Sequence, residues 1–298
     1  MQPAPILLFT YNRPAHTRQT LEALLNNELC NESELFIFSD GYKNNSDKKD
    51  VLEVREIINS VDGFKQIHII ENTHNLGLAK NIIEGVTQIV EEYGKVIVLE
   101  DDLVTSRYFL TFMNEALEKF QNEEKIGHIH GYSFPIANLP DAFLIKWVGS
   151  WGWATWERAW KQFNPDGKEL LNEIKKRKLT KSFDFNGKYP FVRMLKRQIN
   201  GVNNSWAIRW YASLFLNNML SLNAGKSMVQ NIGLDGSGIH SGKDDVWTTN
   251  LYREKLNIDQ GEIKENRIAR KAFEQYYGKT YSRWAKIKRR INRFLRTR

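Results

Sequence analysis

The sequence predicts an α/β fold built on a mostly parallel central sheet flanked by helices. Three observations predict it: short apolar runs recurring about every 30 residues, amphipathic helical patterns between them, and polar or acidic residues at the end of each run. The runs are Ile6–Tyr11, Glu34–Asp40, Gln66–Asn72 and Lys95–Asp101. The helical patterns lie near His16–Asn26, Asp47–Ser60 and Leu78–Tyr93. In the last, Leu78, Ile82, Ile83, Val86, Ile89 and Val90 form one stripe at helix spacing. Strand–helix alternation of this period implies βαβ units with right-handed crossovers.

After Asp102 the pattern changes. A helix is expected over Tyr108–Phe120 and a short strand over Ile126–His130. The segment WVGSWGWATWERAW, Trp147–Trp160, holds five tryptophans, and the spacing of Trp153, Trp156 and Trp160 predicts a buried helix face. Further helices are predicted near Lys168–Leu179, Pro190–Ile199 and Trp206–Asn218, then a strand near Ser227–Gln230 and the glycine-rich NIGLDGSGIHSG, Asn231–Gly242. The division expected is a nucleotide-binding half over 1–105 and a more irregular half over 106–280 in one compact domain, with a tail over 281–298.

Composition narrows the functional classes. The 298 residues are 41% hydrophobic and 26% charged, an ordinary globular profile, and no apolar run approaches the ~20 residues of a membrane span. The N-terminus has no basic n-region and enters a strand directly, so no signal peptide is expected. The single cysteine, Cys30, excludes an intrachain disulfide, fits a reducing compartment, and reads as a buried thiol at a helix end. The net charge of +8 sits in the tail: Tyr281–Arg298 carries eight Lys/Arg and no acid. Without it 35 basic residues face 35 acidic ones, so no basic nucleic-acid-binding face is expected on the body. Trp284, Ile287, Ile291, Phe294 and Leu295 line one helical face of the tail among basic residues, a pattern suited to an anionic membrane surface or to packing on the body.

The most informative stretch is KVIVLEDDL, Lys95–Leu103. A buried strand ends in Glu100, Asp101 and Asp102, and three adjacent carboxylates must face water or a cation. Carboxylate oxygens suit Mg²⁺ or Mn²⁺, which in turn bridge phosphates. The carboxyl ends of the four strands form one rim, where ligands bind in open α/β sheets. Arg13 offers a fork of donors to a phosphate or base. Asp40 suits a nucleobase N–H or a helix cap. Asn75-Leu76-Gly77 precedes a helix, where backbone N–H groups meet anions. No G-x-x-x-x-G-K-[ST] loop and no G-x-G-x-x-G after the first strand is present, which argues against a P-loop NTPase and a dinucleotide oxidoreductase.

A strand ending in TYNRP, a second ending in SDG, the N-L-G-L-A-x-N segment and a strand ending in EDD together resemble a GT-A-fold nucleotide-sugar glycosyltransferase. With WGWATW and NIG-D-GSGIHSG the chain is similar to bacterial family-2-type transferases of surface polysaccharides, such as lipopolysaccharide or capsule, and distantly to β-1,2-N-acetylglucosaminyltransferase I. The resemblance implies a nucleotide diphosphate-sugar donor, UDP-sugar favoured, with Mn²⁺ or Mg²⁺, and a hexosyl or N-acetylhexosaminyl group moved to a growing glycan. By matching position, Thr10, Asn12, Arg13 and Asp40 hold the nucleoside. Asn75, Gly77, Leu78 and Asn81 lie near nucleotide and sugar, Asp101 and Glu100 meet ribose or sugar, and Asp102 binds the metal. His240 is either a metal or phosphate contact or a plain loop histidine, and Trp151 is either a sugar contact or core. The pattern's acceptor-side acid has no counterpart in Ser205-Trp206-Ala207-Ile208-Arg209-Trp210, so the candidates for the catalytic base are Asp235, then Glu157 and Asp184. A lipid-linked acceptor implies a cytoplasmic protein peripheral on the inner face of the plasma membrane. A sugar-phosphate nucleotidyltransferase and a non-enzymatic glycan- or surface-binding module remain the alternatives.

Overall fold

The structure, a computed structural model, describes residues 2–235, 247–258 and 261–282. The four expected strands form as β1 (Ile6–Thr10), β2 (Glu34–Ser39), β3 (Gln66–Glu71) and β4 (Lys95–Glu100), with α1 (Pro14–Leu25), α2 (Asn45–Asn59) and α3 (Leu78–Tyr93) between them. Then follow β5 (Leu103–Thr105), α4 (Phe109–Lys119), β6 (Ile126–His130), β7 (Ala142–Ile145), β8 (Trp153–Trp156) and α5 (Glu157–Trp160). The chain continues through α6 (Gly167–Lys176), α7 (Thr180–Phe183), α8 (Phe191–Ile199), α9 (Trp206–Leu216), β9 (Leu220–Ala224), β10 (Val229–Asn231) and α10 (Arg267–Tyr281).

Eight strands make one sheet in the order β3-β2-β1-β4-β8-β6-β9-β7, and β10 pairs with β5 in a separate ribbon. β1 lies parallel to both β2 and β4, and β2 parallel to β3. The register aligns Thr10 with Ser39, Ser39 with Glu71 and Phe9 with Glu100, so four carboxyl ends come level at one rim. β8 runs antiparallel to β4 and β6, and β7 antiparallel to β9.

β1, β2 and β4 are buried on both faces, as their uninterrupted apolar runs require, while β3 at the sheet edge is only partly buried. α3 shows how a helix attaches. Its stripe of Ile82, Val86, Ile89 and Val90 is at most 1% exposed, each side chain worth about 1.5–3 kcal/mol of burial. Cys30 is buried at the start of a short 3₁₀ turn, and burial raises its thiol to about 11, the inert state expected of it.

The structure corrects the reading of the tryptophan segment. Trp153, Trp156 and Trp160 are all buried, but the first two belong to a strand and only Trp160 to a helix. The reason is tertiary. β8 fills the space between β4 and β6, so both edges of its backbone are hydrogen-bonded, a pairing that helical spacing along the chain cannot reveal. β5, β7, β9 and α10 lie where no strand or helix was expected.

Candidate active site

The acidic rim is braced by α1. Pro14 opens this helix at a position where proline costs no hydrogen bond, and Arg13 is its N-cap residue. From there the guanidinium reaches across to Asp102, Nη1 to Oδ2 at 2.7 Å. One and a half turns into α1, buried Thr20 donates its hydroxyl to the Asp101 carbonyl at 2.9 Å. The Tyr11 N–H donates to Asp101 Oδ2 at 3.2 Å. Tyr11 then donates its own hydroxyl to Asp47 at 2.6 Å, tying the end of β1 to the first turn of α2. Burial and this bond raise the Tyr11 phenol to about 12.

The carboxylates are hard to ionise together. Burial, then the Asp102 charge, raise Asp101 to about 7, with Arg13 opposing. Glu100 is pushed well above the usual range by burial and by Asp102 and Asp101. Asp102 is raised by burial, against the pull of Arg13. Such a cluster is stabilised by added positive charge.

A distant segment closes over it. β10 runs antiparallel to β5, with Asn231 opposite Leu103. The Ile232 N–H then donates to the Asp102 carbonyl at 2.9 Å. This brings Gly233 so close that a Cβ on it would stand 2.2 Å from Asp102 Oδ2 and 2.7 Å from Arg13 Nη1. Only a residue without a side chain leaves the ion pair undisturbed.

Asp40 does more than expected, and in a different place. Its Oδ1 accepts the Gly41 N–H at 3.0 Å, Asn72 Nδ2 at 3.2 Å and the Leu76 N–H at 2.9 Å. Its Oδ2 accepts Asn75 Nδ2 and the Gly77 N–H, both at 2.9 Å. Asp40 is 4% exposed and sits at the amino end of α3, where the helix dipole favours a carboxylate. It holds the turn that leads into α3, whereas α2, the helix that follows it in sequence, is capped by Asn44. Gly77 adopts φ 76°, a left-handed conformation that lets its N–H turn toward Asp40. The expectation that Leu76 and Gly77 amides meet a ligand anion is therefore corrected: Asp40 is the anion they meet.

The remaining candidates divide. Thr10 is buried with its hydroxyl unpartnered at the end of β1, and Asn81 is buried with its Oδ1 3.4 Å from Asn72 Nδ2. Asn12 is partly exposed beside Arg13, and Leu78 is 47% exposed at the start of α3. Trp151 lies two residues before Trp153, the residue of β8 that pairs with Val98 toward the carboxyl end of β4. Glu157 is not brought to the rim. It follows Trp156, which pairs with Lys95 at the other end of β4, roughly 17 Å away at strand rise, and its carboxylate pairs with Lys161 at 2.7 Å. Asp184 caps α8 by accepting the Val192 N–H at 2.7 Å. Neither residue has the placement a base needs. The backbone of Asp235 lies in the 3₁₀ turn that starts at Gly233. Its side chain, His240 and the tail from 283 onward are outside the described residues. Among the described residues no helix is long and apolar enough to cross a membrane.

Motif reading missed Thr20 and Gly233. Thr20 carries no signal, being one more polar residue in a mixed helix. Gly233 stood in a segment singled out for its glycines, but its contact with Asp102 spans 131 positions of sequence.

Among the described residues no three His, Cys, Asp or Glu side chains converge as a protein-only metal cage. The donor set instead suits an ion held by a single carboxylate, Asp102, and completed by phosphate oxygens and water, the usual manner of Mg²⁺.

The family model described as Glycosyl transferase family 2 matches residues 6–200. No curated protein matches the chain. Among solved structures, a cytidylyltransferase from Leptospira borgpetersenii serovar Hardjo-bovis aligns at TM-score 0.35 and 10% identity, covering 55% of this chain and 64% of its own. S. aureus TarS aligns at TM-score 0.33 and 15% identity, covering 46% of this chain and 23% of its own. The chain spans less than two thirds of the length of either.

Proposed function

Because the chain belongs to glycosyl transferase family 2 and has the GT-A fold, we propose that it moves a sugar from a nucleotide diphosphate-sugar to a saccharide acceptor at the rim around Asp102. The observation that carries this reading is the Asp102–Arg13 pair at the ends of β4 and β1, set among three carboxylates whose protonation is raised by burial and mutual repulsion.

The donor, UDP-sugar favoured, lies along the rim. Its nucleoside rests near Thr10, Asn12 and Arg13, on the floor that Asp40 holds rigid, with Asn75, Gly77, Leu78 and Asn81 beside it. Thr10 supplies an unused hydroxyl there. Glu100 and Asp101 accept hydroxyls of ribose or sugar, and Trp151 offers its face to the sugar ring. Asp102 and His240 would hold a Mn²⁺ or Mg²⁺ ion, which would supply positive charge against the leaving diphosphate. Arg13 adds donors for a phosphate when it turns from Asp102. Asp235, two residues beyond Gly233, is the base that takes the acceptor proton. Residues 1–105 form the donor half and 106–280 the acceptor half. The tail, 281–298, holds the enzyme to the anionic inner face of the plasma membrane, where a lipid-linked glycan is the acceptor.

The test is a thermal-shift panel of UDP-, GDP-, dTDP- and CMP-sugars, with and without Mn²⁺, on wild type and Asp102→Ala. A metal-dependent shift with one nucleotide, absent from the variant, supports the reading and names the base. No shift with any nucleotide sugar sinks it, and NTPs with sugar phosphates then become the substrates to try.

A further inference from the structure

A hollow of about 240 Å³ opens in the half of the molecule that follows β4, where β6 ends at His130. It is small against ordinary ligand pockets of ~300–1,000 Å³, room for one ring and not for a chain. Trp151, two residues before β8, is one wall. Trp247 is another, held by the hydrogen bond from the Tyr132 hydroxyl to its carbonyl at 2.8 Å.

The lining decides what the hollow can hold. Tyr132, Tyr189 and Phe191 continue the aromatic surface, and among the described residues no Asp, Glu, Lys or Arg lines it. A charged ligand would lose its hydration there and gain no counter-charge. His130 also lines the hollow, is 1% exposed, makes no close hydrogen bond at either ring nitrogen, and has Asn223 as its polar neighbour. Burial lowers its pKa to about 3, so the imidazole is neutral. Trp147, another lining residue, has an equally unpartnered indole N–H. An alkyl occupant would leave those polar atoms unsatisfied, at about 1–3 kcal/mol each. A sugar ring answers both halves of the lining: its C–H faces stack on aromatic rings, and its hydroxyls both donate and accept.

We infer that this hollow seats an uncharged sugar ring of the acceptor, and that it excludes uronic acids and sugar phosphates. The inference rests on the glycosyl-transfer reading and adds the substrate class on the acceptor side. Met194, partly exposed on α8, lines the hollow and makes no polar contact a substitution would remove.

The experiment is a titration of the full chain, with UDP and Mn²⁺ present, by tryptophan fluorescence and saturation-transfer NMR. The probes are methyl glucoside, methyl N-acetylglucosaminide, methyl glucuronide, glucose 6-phosphate, octyl glucoside and octanol. Neutral methyl glycosides are expected to bind at least tenfold more tightly than the glucuronide or the phosphate. Met194→Lys is expected to shift that ratio toward the glucuronide by about tenfold while leaving the UDP-induced thermal shift in place. Equal binding of neutral and charged sugars overturns the inference. So does octanol binding as tightly as octyl glucoside, or the absence of any sugar binding in protein that still binds nucleotide. If no nucleotide or nucleotide sugar binds, it is the glycosyl-transfer reading that fails, and the acceptor assignment falls with it.

Discussion

Arg13 and Asp102 meet at 2.7 Å with only 18% and 15% of their side chains exposed, so the charge that ends β4 is answered from the N-cap of α1. Removing the guanidinium leaves a carboxylate beside two others with no counter-charge. Arg13→Ala is expected to destabilise the protein by about 3 kcal/mol, as for one partner of a buried pair. Mn²⁺ should then raise the melting temperature of the variant more than that of wild type, since a bound cation restores the lost charge. Urea unfolding and thermal shift measure the two effects. An unchanged stability would mean the pair is not formed in solution.

Asp102→Ala should lower glycosyl transfer by about 10²–10³-fold, the scale on which one electrostatic contact to a developing charge acts. Initial rates at saturating donor and metal give the number. A variant that keeps more than a tenth of the rate would remove Asp102 from the machinery.

Asp40 distinguishes a cap from a base-binding residue. Asp40→Asn replaces one of the two acceptor oxygens by a donor, which then faces either the Leu76 or the Gly77 N–H, so a stability loss of about 2 kcal/mol is expected even without nucleotide. The comparison is urea unfolding of both proteins in the apo state. Were the carboxylate there only for a ligand, the two curves would coincide.

Gly233→Ala places a methyl group against the Asp102 carboxylate and the Arg13 guanidinium. Those are side-chain ends in a partly exposed site, so the fold should tolerate the change while transfer falls by about tenfold. Melting temperature and rate, measured together, check it. A variant with normal rate would show that the pair can be displaced without consequence.

His130 sets a pH dependence. Its folded pKa is near 3, held down by burial, against about 6.5 for an unfolded imidazole. Between those values the unfolded chain binds the extra proton, so the stability this neutral side chain contributes is present above pH 6.5 and is lost as pH falls toward 3. The expected slope is about 1.4 kcal/mol per pH unit for one proton. His128, lowered by burial and by the nearby His130, acts in the same direction. His130→Asn should reduce the acid-side slope by about one proton in urea unfolding between pH 4 and 6.5. Equal slopes in both proteins would contradict the assignment.

What the sequence determined by itself is local. Four buried strands, three helices between them and the acids after Leu99 are written in periodicities of two and 3.6 and in abrupt changes from apolar to polar. α3 and β6 occupy the expected residues, and the other early elements end within two residues of expectation. Parallel pairing of those strands then puts Thr10, Ser39, Glu71 and Glu100 at one rim, because strands joined by crossover helices all run the same way through the sheet. Tertiary structure decided the partners. That Trp153 lies in a strand follows from two open sheet edges, which no spacing of tryptophans encodes. That Asp40 is filled by the turn before α3, that Arg13 faces Asp102, and that Gly233 covers them both depend on contacts between residues 35 to 220 positions apart. Hydrophobic burial specifies which face of an element turns inward, whereas a hydrogen bond or an ion pair is specified only when distant segments are brought within about 3 Å of each other.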